Sequence, residues 1–173
     1  MADLLALSLI RDVPDFPKPG ILFKDITPVL MHPAAFAEVV DEMAALAAAQ
    51  KPEVIVGIES RGFLFGVPVA MKLGLPFSLA RKAGKLPAER IREEYALEYG
   101  TNTVEMHTDA IAAGHRVYVI DDLLATGGTA AATAKLIQRL SGEVAGFGFL
   151  IELGFLDGRA ALAGLHVDAL LTY

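Results

Sequence analysis

Residues 117–129 read VYVIDDLLATGGT and hold the side chains of this chain best suited to chemistry. An apolar, β-branched run leads into two adjacent carboxylates, Asp121 and Asp122. A Thr-Gly-Gly-Thr bend and a helix-forming stretch follow. Glycine lets a backbone approach an anion with no Cβ in the way. Successive N–H groups in such a bend form an anion nest, and the helix start behind it adds partial positive charge. Ala125, Thr126, Gly127, Gly128 and Thr129 are therefore the candidate phosphate-binding residues, with the hydroxyls of Thr126 and Thr129 as further donors. Bare carboxylates beside a phosphate repel it. They make sense if the ligand also carries vicinal hydroxyls, which a carboxylate accepts well. The pattern points to a sugar phosphate, with its phosphate on the bend and its diol on the acids. The competing reading is a solvated strand end followed by an ordinary turn.

Other phosphate loops are excluded. No GxxxxGK[ST] occurs, and the one GxG, Gly146-Phe147-Gly148, lies inside an apolar run with no helix behind it. Cations are concentrated elsewhere. Arg81, Lys82, Lys85, Arg90 and Arg92 are five of the 15 basic residues, and Arg61 follows the apolar run at 54–58. For Arg90 and Arg92 the competing reading is a solvated face paired with Glu89, Glu93 and Glu94. His32, His107, His115 and His166 have no metal-binding spacing. With no cysteine and no Ser-His-Asp pattern, no covalent nucleophile is indicated.

These residues need a scaffold. Residues 4–10 read as a short helix. Five prolines between 12 and 33 forbid a long helix there and imply an irregular, structured segment. The spacing predicts a helix over 34–50, a buried strand over 54–58, and a helix over 62–73 closed by Gly74. A strand is expected at 77–80, another at 117–120, a helix at 129–140 and a strand at 144–153. Residues 82–99 are charged and weakly periodic. Strands alternating with helices argue for an α/β domain with a mostly parallel sheet, in which ligands sit at the carboxyl ends of strands.

Composition sets the bounds. The chain has 173 residues, 54% of them hydrophobic, which suits one domain with a sizeable core. A net charge of −6 argues against a general nucleic-acid binder. The apolar run at 4–10 is too short for a membrane span and lacks a basic leader, so a soluble, cytoplasmic protein is expected.

Residues 117–129 resemble the phosphoribosyl-pyrophosphate signature of the type I phosphoribosyltransferases. FPKPGILFKDITPVL (16–30), GIESRGFLFG (57–66), RKAGKLP (81–87) and LEYG (97–100) are similar, in the same order, to segments of the adenine-using members. The resemblance implies a type I phosphoribosyltransferase-like α/β fold over a single domain, 1–173. That fold has a mostly parallel central sheet flanked by helices, a small hood (about 12–33) over the base site and a flexible lid (about 86–100). It implies transfer of the 5-phosphoribosyl group from phosphoribosyl pyrophosphate to adenine, giving AMP and pyrophosphate in purine salvage. It also implies Mg²⁺ held mainly by substrate oxygens, with no direct protein ligand. The implied assembly is a homodimer without nucleic-acid or membrane partners.

The same resemblance implies residue roles. Glu98, Asp121 and Asp122 are catalytic, with Glu98 near the base N7 as proton donor or hydrogen-bond partner and Tyr99 beside it in the lid. Glu59, Ser60 and Arg61 cradle pyrophosphate, often around a cis peptide between the first two, and Arg81, Lys82 and Lys85 supply charge. Arg81 in some members reaches the neighbouring subunit's site. The carbonyl of Ile21 and the amide of Lys24 read the adenine edge, flanked by Phe23 and Leu153. The chain departs from the family pattern at Gly154 and Phe155, where small polar residues or proline are common. Two alternatives stay open: another purine base (hypoxanthine, guanine or xanthine), and a regulatory domain that binds phosphoribosyl pyrophosphate without catalysis.

Overall fold

Pro14, Pro17, Pro19 and Gly20 break the first stretch of chain into short pieces, because proline lacks the N–H that helices and inner strands need. The computed structural model describes residues 4–96 and 101–173. Glu98 and Tyr99, with the rest of LEYG, lie outside the described residues. The chain divides into two compact units, Met1–Glu42 and Met43–Tyr173.

The first unit contains α1 (Leu5–Leu9), β1 (Arg11–Pro14), β2 (Leu22–Asp25) and the single-turn α2 (Thr27–Leu30). The segment expected to be irregular is a hairpin. β1 and β2 pair antiparallel, with Asp12 opposite Lys24 and Val13 opposite Phe23. Gly20 (φ +87°) makes the turn, and its N–H donates to Asp15 Oδ1 at 2.8 Å. Asp25 accepts the Thr27 amide at 2.9 Å and also pairs with Arg11. The amide and then the guanidinium hold its carboxyl below the usual range. α3 (Pro33–Ala49) runs from the first unit into the second, one residue ahead of the predicted helix at each end.

The second unit is built on β3 (Val54–Ile58), α4 (Arg61–Leu73), β4 (Phe77–Lys82), β5 (Arg90–Ala96), β6 (Thr101–His107), β7 (Arg116–Leu124), α5 (Gly128–Arg139), β8 (Glu143–Glu152) and β9 (Val167–Thr172). Its sheet has the order β5-β6-β4-β3-β7-β8-β9. β4, β3, β7, β8 and β9 are parallel, while β6 joins β4, and β5 joins β6, antiparallel. The mostly parallel α/β reading is therefore correct. The predicted strands and helices of this unit are present, several of them longer than expected. The sequence reading missed β5, β6 and β9. The charged stretch given to a flexible lid contains an ordered strand, β5, paired along its length with β6.

Val56, Ile58, Val119, Leu136, Phe147 and Phe149 lie in one buried cluster between the sheet and α5. Burying each such side chain favours folding by about 1.5–3 kcal/mol. Gly146 and Gly148 inside β8 make room for Tyr118, since a Cβ would come within 3.0 and 2.8 Å of its ring. The buried Tyr118 hydroxyl donates to Asp168 Oδ2 at 2.7 Å, and burial pushes the phenol well up. Among the described residues no helix is long and apolar enough to cross a membrane.

Candidate functional site

β7 is longer than the predicted 117–120 and carries both acids inside the strand. Parallel pairing with β8 continues past them, with Asp121 opposite Phe149 and Leu124 opposite Glu152. The buried strand thus fixes the carboxylates at its carboxyl end, where an open parallel sheet exposes its ligand crevice.

The bend follows at once. Gly127 adopts φ +81°, a left-handed conformation that a side chain disfavours, and α5 begins at Gly128. A Cβ on Gly127 would also lie 2.4 Å from the Gly158 carbonyl and 2.9 Å from Ala161 Cβ. A side chain at this position is therefore excluded by the chain's own packing as well. The crowding comes from the chain's own 3₁₀ turn, Gly158–Leu162, packed behind the bend. That turn is fastened by Arg159, whose Nε and Nη2 donate to Glu152 Oε1 and Oε2 at 2.7 and 2.8 Å. Gly158 answers Gly127, since a Cβ there would sit 2.2 Å from the Ala125 carbonyl. The bend closes on a cavity of about 90 Å³ lined by Asp121, Leu123, Leu124, Ala125, Thr126, Gly127, Gly128, Thr129, Ala130 and Phe149. All five predicted phosphate residues are brought together there with Asp121.

A second cavity, of about 210 Å³, shares Asp121 and Thr129 with the first and adds Ile58, Glu59, Ala80, Arg81, Lys82, Tyr95, Asn102, Thr103 and Val104. Glu59, Arg81 and Lys82 were named from sequence; Tyr95, Asn102 and Thr103 were not. Arg81 does not stand alone as a cation. Its Nε and Nη2 donate to Glu59 Oε2 and Oε1 at 3.1 and 3.2 Å, and its Nη1 donates to the Lys85 carbonyl at 3.0 Å. The Lys82 amide adds a third bond to Glu59, at 3.0 Å. Burial pushes the Glu59 carboxyl up, but Arg81 and the Lys82 amide outweigh it and hold the group below its usual range. The peptide between Glu59 and Ser60 is cis, as the family resemblance implies.

Ser60 precedes α4 without a side-chain capping bond, and Arg61 opens the helix. Arg61 Nε lies 3.0 Å from Asp122 Oδ2, an ion pair by distance that lacks hydrogen-bonding angles. Asp122 is buried and does not line either cavity, in contrast to Asp121. Burial, and then the charge of Asp122, push the Asp121 carboxyl well up; burial also raises Asp122, against the pull of Arg61.

Of the base-reading candidates, the Ile21 carbonyl accepts the Phe16 amide at 3.2 Å, and Phe23 meets Phe16 edge to face with centroids 5.1 Å apart. Lys24 is buried, and its Nζ donates to Asp12 Oδ1 at 2.6 Å. Leu153 directly follows β8, and its amide donates to the Leu124 carbonyl at 2.9 Å.

Residues 26–160 match the family model described as the phosphoribosyl transferase domain. An adenine phosphoribosyltransferase of Myxococcus xanthus is 56% identical over 173 residues, covering 100% of this chain and 93% of the relative. The crystal structure of the Thermoanaerobacter pseudethanolicus adenine phosphoribosyltransferase superposes with a TM-score of 0.95 at 50% identity, over 97% of this chain and 98% of that one. The Saccharomyces cerevisiae enzyme, complexed with an imino-altritol bisphosphate and adenine, gives 0.89 at 38% identity, over 95% and 96%. With a small cavity on its Gly-Gly bend adjoining a Glu-Arg-Lys cavity across one aspartate, and with these relatives alike over nearly its whole length, the chain belongs to the adenine phosphoribosyltransferases within the phosphoribosyltransferase family.

Proposed function

We propose that this chain transfers the 5-phosphoribosyl group of phosphoribosyl pyrophosphate to adenine, releasing AMP and pyrophosphate in purine salvage. The observation that carries the reading is the pair of cavities joined at Asp121 and Thr129. One has the donors for a 5′-phosphate; the other, which shares Asp121 and Thr129 with it, is lined by the cations Arg81 and Lys82. In the reaction, adenine N9 forms a bond to ribose C1 as the C1–O bond to pyrophosphate breaks; the electron pair leaves with pyrophosphate, and the imidazole proton of the base passes to pyrophosphate or to water. Most of the acceleration comes from holding two substrates in line and from stabilising the departing charge. The bend residues Ala125 to Thr129 fix the 5′-phosphate. Asp121 takes the ribose side, near the positive charge that develops on the sugar, and Asp122, buried and paired with Arg61, acts through the negative charge it sets beside Asp121. Ser60, Arg61, Lys82 and Lys85 face pyrophosphate, with Glu59 and Arg81 as the clasp that orders their loops. Glu98 and Tyr99 keep their roles at the base and in the lid. Ile21, Phe23, Lys24 and Leu153 keep theirs in base recognition, by likeness to the family. Relatives named for adenine favour that base over the other purines.

Mg²⁺ belongs to this reading. Asp121 is the carboxylate that reaches both cavities, while Asp122 Oδ2 is buried 3.0 Å from Arg61 Nε. Among the described residues no cluster of three acidic or imidazole groups could cage the ion. That donor set suits a cation carried mainly by substrate oxygens and waters, which when bound neutralises part of the pyrophosphate charge. We further read the protein as a cytoplasmic homodimer of single-domain subunits. The exposed Leu64, Val67 and Met71 on α4 are an apolar stripe suited to a subunit contact. The test is direct. Adenine, phosphoribosyl pyrophosphate and Mg²⁺ are incubated with the protein, and AMP formation is followed; no AMP at micromolar enzyme would remove the reading.

A further inference from the structure

β5 is fastened along the length of α5. Burial alternates along it, with Ile91, Glu93 and Tyr95 turned inward and Arg90, Arg92 and Glu94 outward. At the far end of the helix, Arg139 Nη1 donates to the Arg92 carbonyl at 2.6 Å and to Glu93 Oε2 at 3.2 Å. Lys135 Nζ adds a bond to Glu93 Oε1 at 3.1 Å. At the near end the fastening is Tyr95, which packs on the hydrophobic core while its hydroxyl accepts the Thr129 hydroxyl at 2.9 Å. Thr129 lines both cavities, whereas Tyr95 lines only the larger.

A hydroxyl is both donor and acceptor, so this contact has two proton arrangements. With Thr129 donating to Tyr95, the threonine has no proton left for a ligand. With Tyr95 donating to Thr129, the threonine O–H is released toward the smaller cavity, polarised by the bond behind it. We propose that Tyr95 is a positioning residue for the 5′-phosphate, acting through Thr129. An anion on the bend selects the arrangement in which the phenol donates to the threonine and the threonine donates to the anion. The inference rests on the proposed function, because it takes the ligand of the bend to be a nucleotide 5′-phosphate.

The role is separable from packing by AMP calorimetry on the intact protein. Tyr95→Phe keeps the ring and removes the relay donor, and should weaken AMP about three- to tenfold, with KM for phosphoribosyl pyrophosphate rising more than kcat falls. Thr129→Val should weaken AMP comparably. In the Thr129→Val background, Tyr95→Phe should change affinity less than about 1.5-fold; in Thr129→Ser, which keeps the hydroxyl, its effect should return in full. Wild-type affinity in Tyr95→Phe, or losses that multiply independently in the double variant, would overturn the inference. Failure of the wild-type protein to bind AMP at all would instead strike the proposed function, so the two failures are distinct.

Discussion

Glu59 and Arg81 face each other across the ends of two neighbouring strands, joined by Nε–H to Oε2 at 3.1 Å and Nη2–H to Oε1 at 3.2 Å. Sequence alone gives both residues the same task, contact with pyrophosphate. Their pairing gives them a shared one: it links the turn after β3 to the loop after β4 and sets the spacing of the neighbouring cations. Their side chains are only 14% and 28% exposed, so solvent screens the pair less than a surface salt bridge.

Glu59→Gln should therefore cost about 1–2 kcal/mol of stability at neutral pH, the scale of charge-assisted hydrogen bonds. Because the folded carboxyl sits below its ordinary 4.5, its stabilisation is complete above that value and fades as pH falls through the folded value. Urea unfolding from pH 7 to pH 3 should show the variant's deficit shrinking toward the acid end. A deficit that does not change with pH would mean that the carboxylate's charge is not what matters.

Asp121 has the opposite sign. Its folded carboxyl lies above the ordinary 3.8, so over the interval between the two values the native state binds more protons than the unfolded one, and stability falls as pH rises. Asp121→Asn removes that penalty. Thermal melts should show the variant more stable than the wild type at pH 8, with the gain vanishing below pH 4. The same variant should lose kcat/KM by about tenfold or more, a trade of function for stability. Equal melting curves at pH 8 would refute the account of the carboxylate pair.

Gly158→Ala tests the wall behind the bend. The added Cβ would come within 2.2 Å of the Ala125 carbonyl, so the 3₁₀ turn or the bend must shift. A loss of about 1–3 kcal/mol is expected, together with weakened AMP binding, although Gly158 is not itself a predicted ligand contact. Wild-type affinity in a folded Gly158→Ala protein would show that the bend does not depend on this packing.

Much of the site was legible because its elements are short and strongly marked. Four β-branched residues in five positions marked β3, and the Gly-Gly bend marked the start of α5 to within one residue, while β7 runs past its expected end at Ile120 to Leu124. β5 was not legible because Glu93, a charge, takes an inward position between Ile91 and Tyr95. Lys135 and Arg139, over 40 residues away, make that tolerable, and no local pattern announces them. The Pro-rich hairpin was hidden for a similar reason: its turn is held by Asp15 and Gly20 rather than by a two-residue loop. Tyr95 was read only as part of a charged stretch, yet the register of β5 brings it to Thr129. Gly158 gave no signal because its partner is a carbonyl, which sequence does not display.

The most direct measurement is a crystal structure of the protein with AMP. The account predicts the 5′-phosphate within hydrogen-bonding distance of the amides between Ala125 and Thr129, and a ribose hydroxyl on Asp121. AMP seated in another cavity, with its phosphate off the bend, would contradict it.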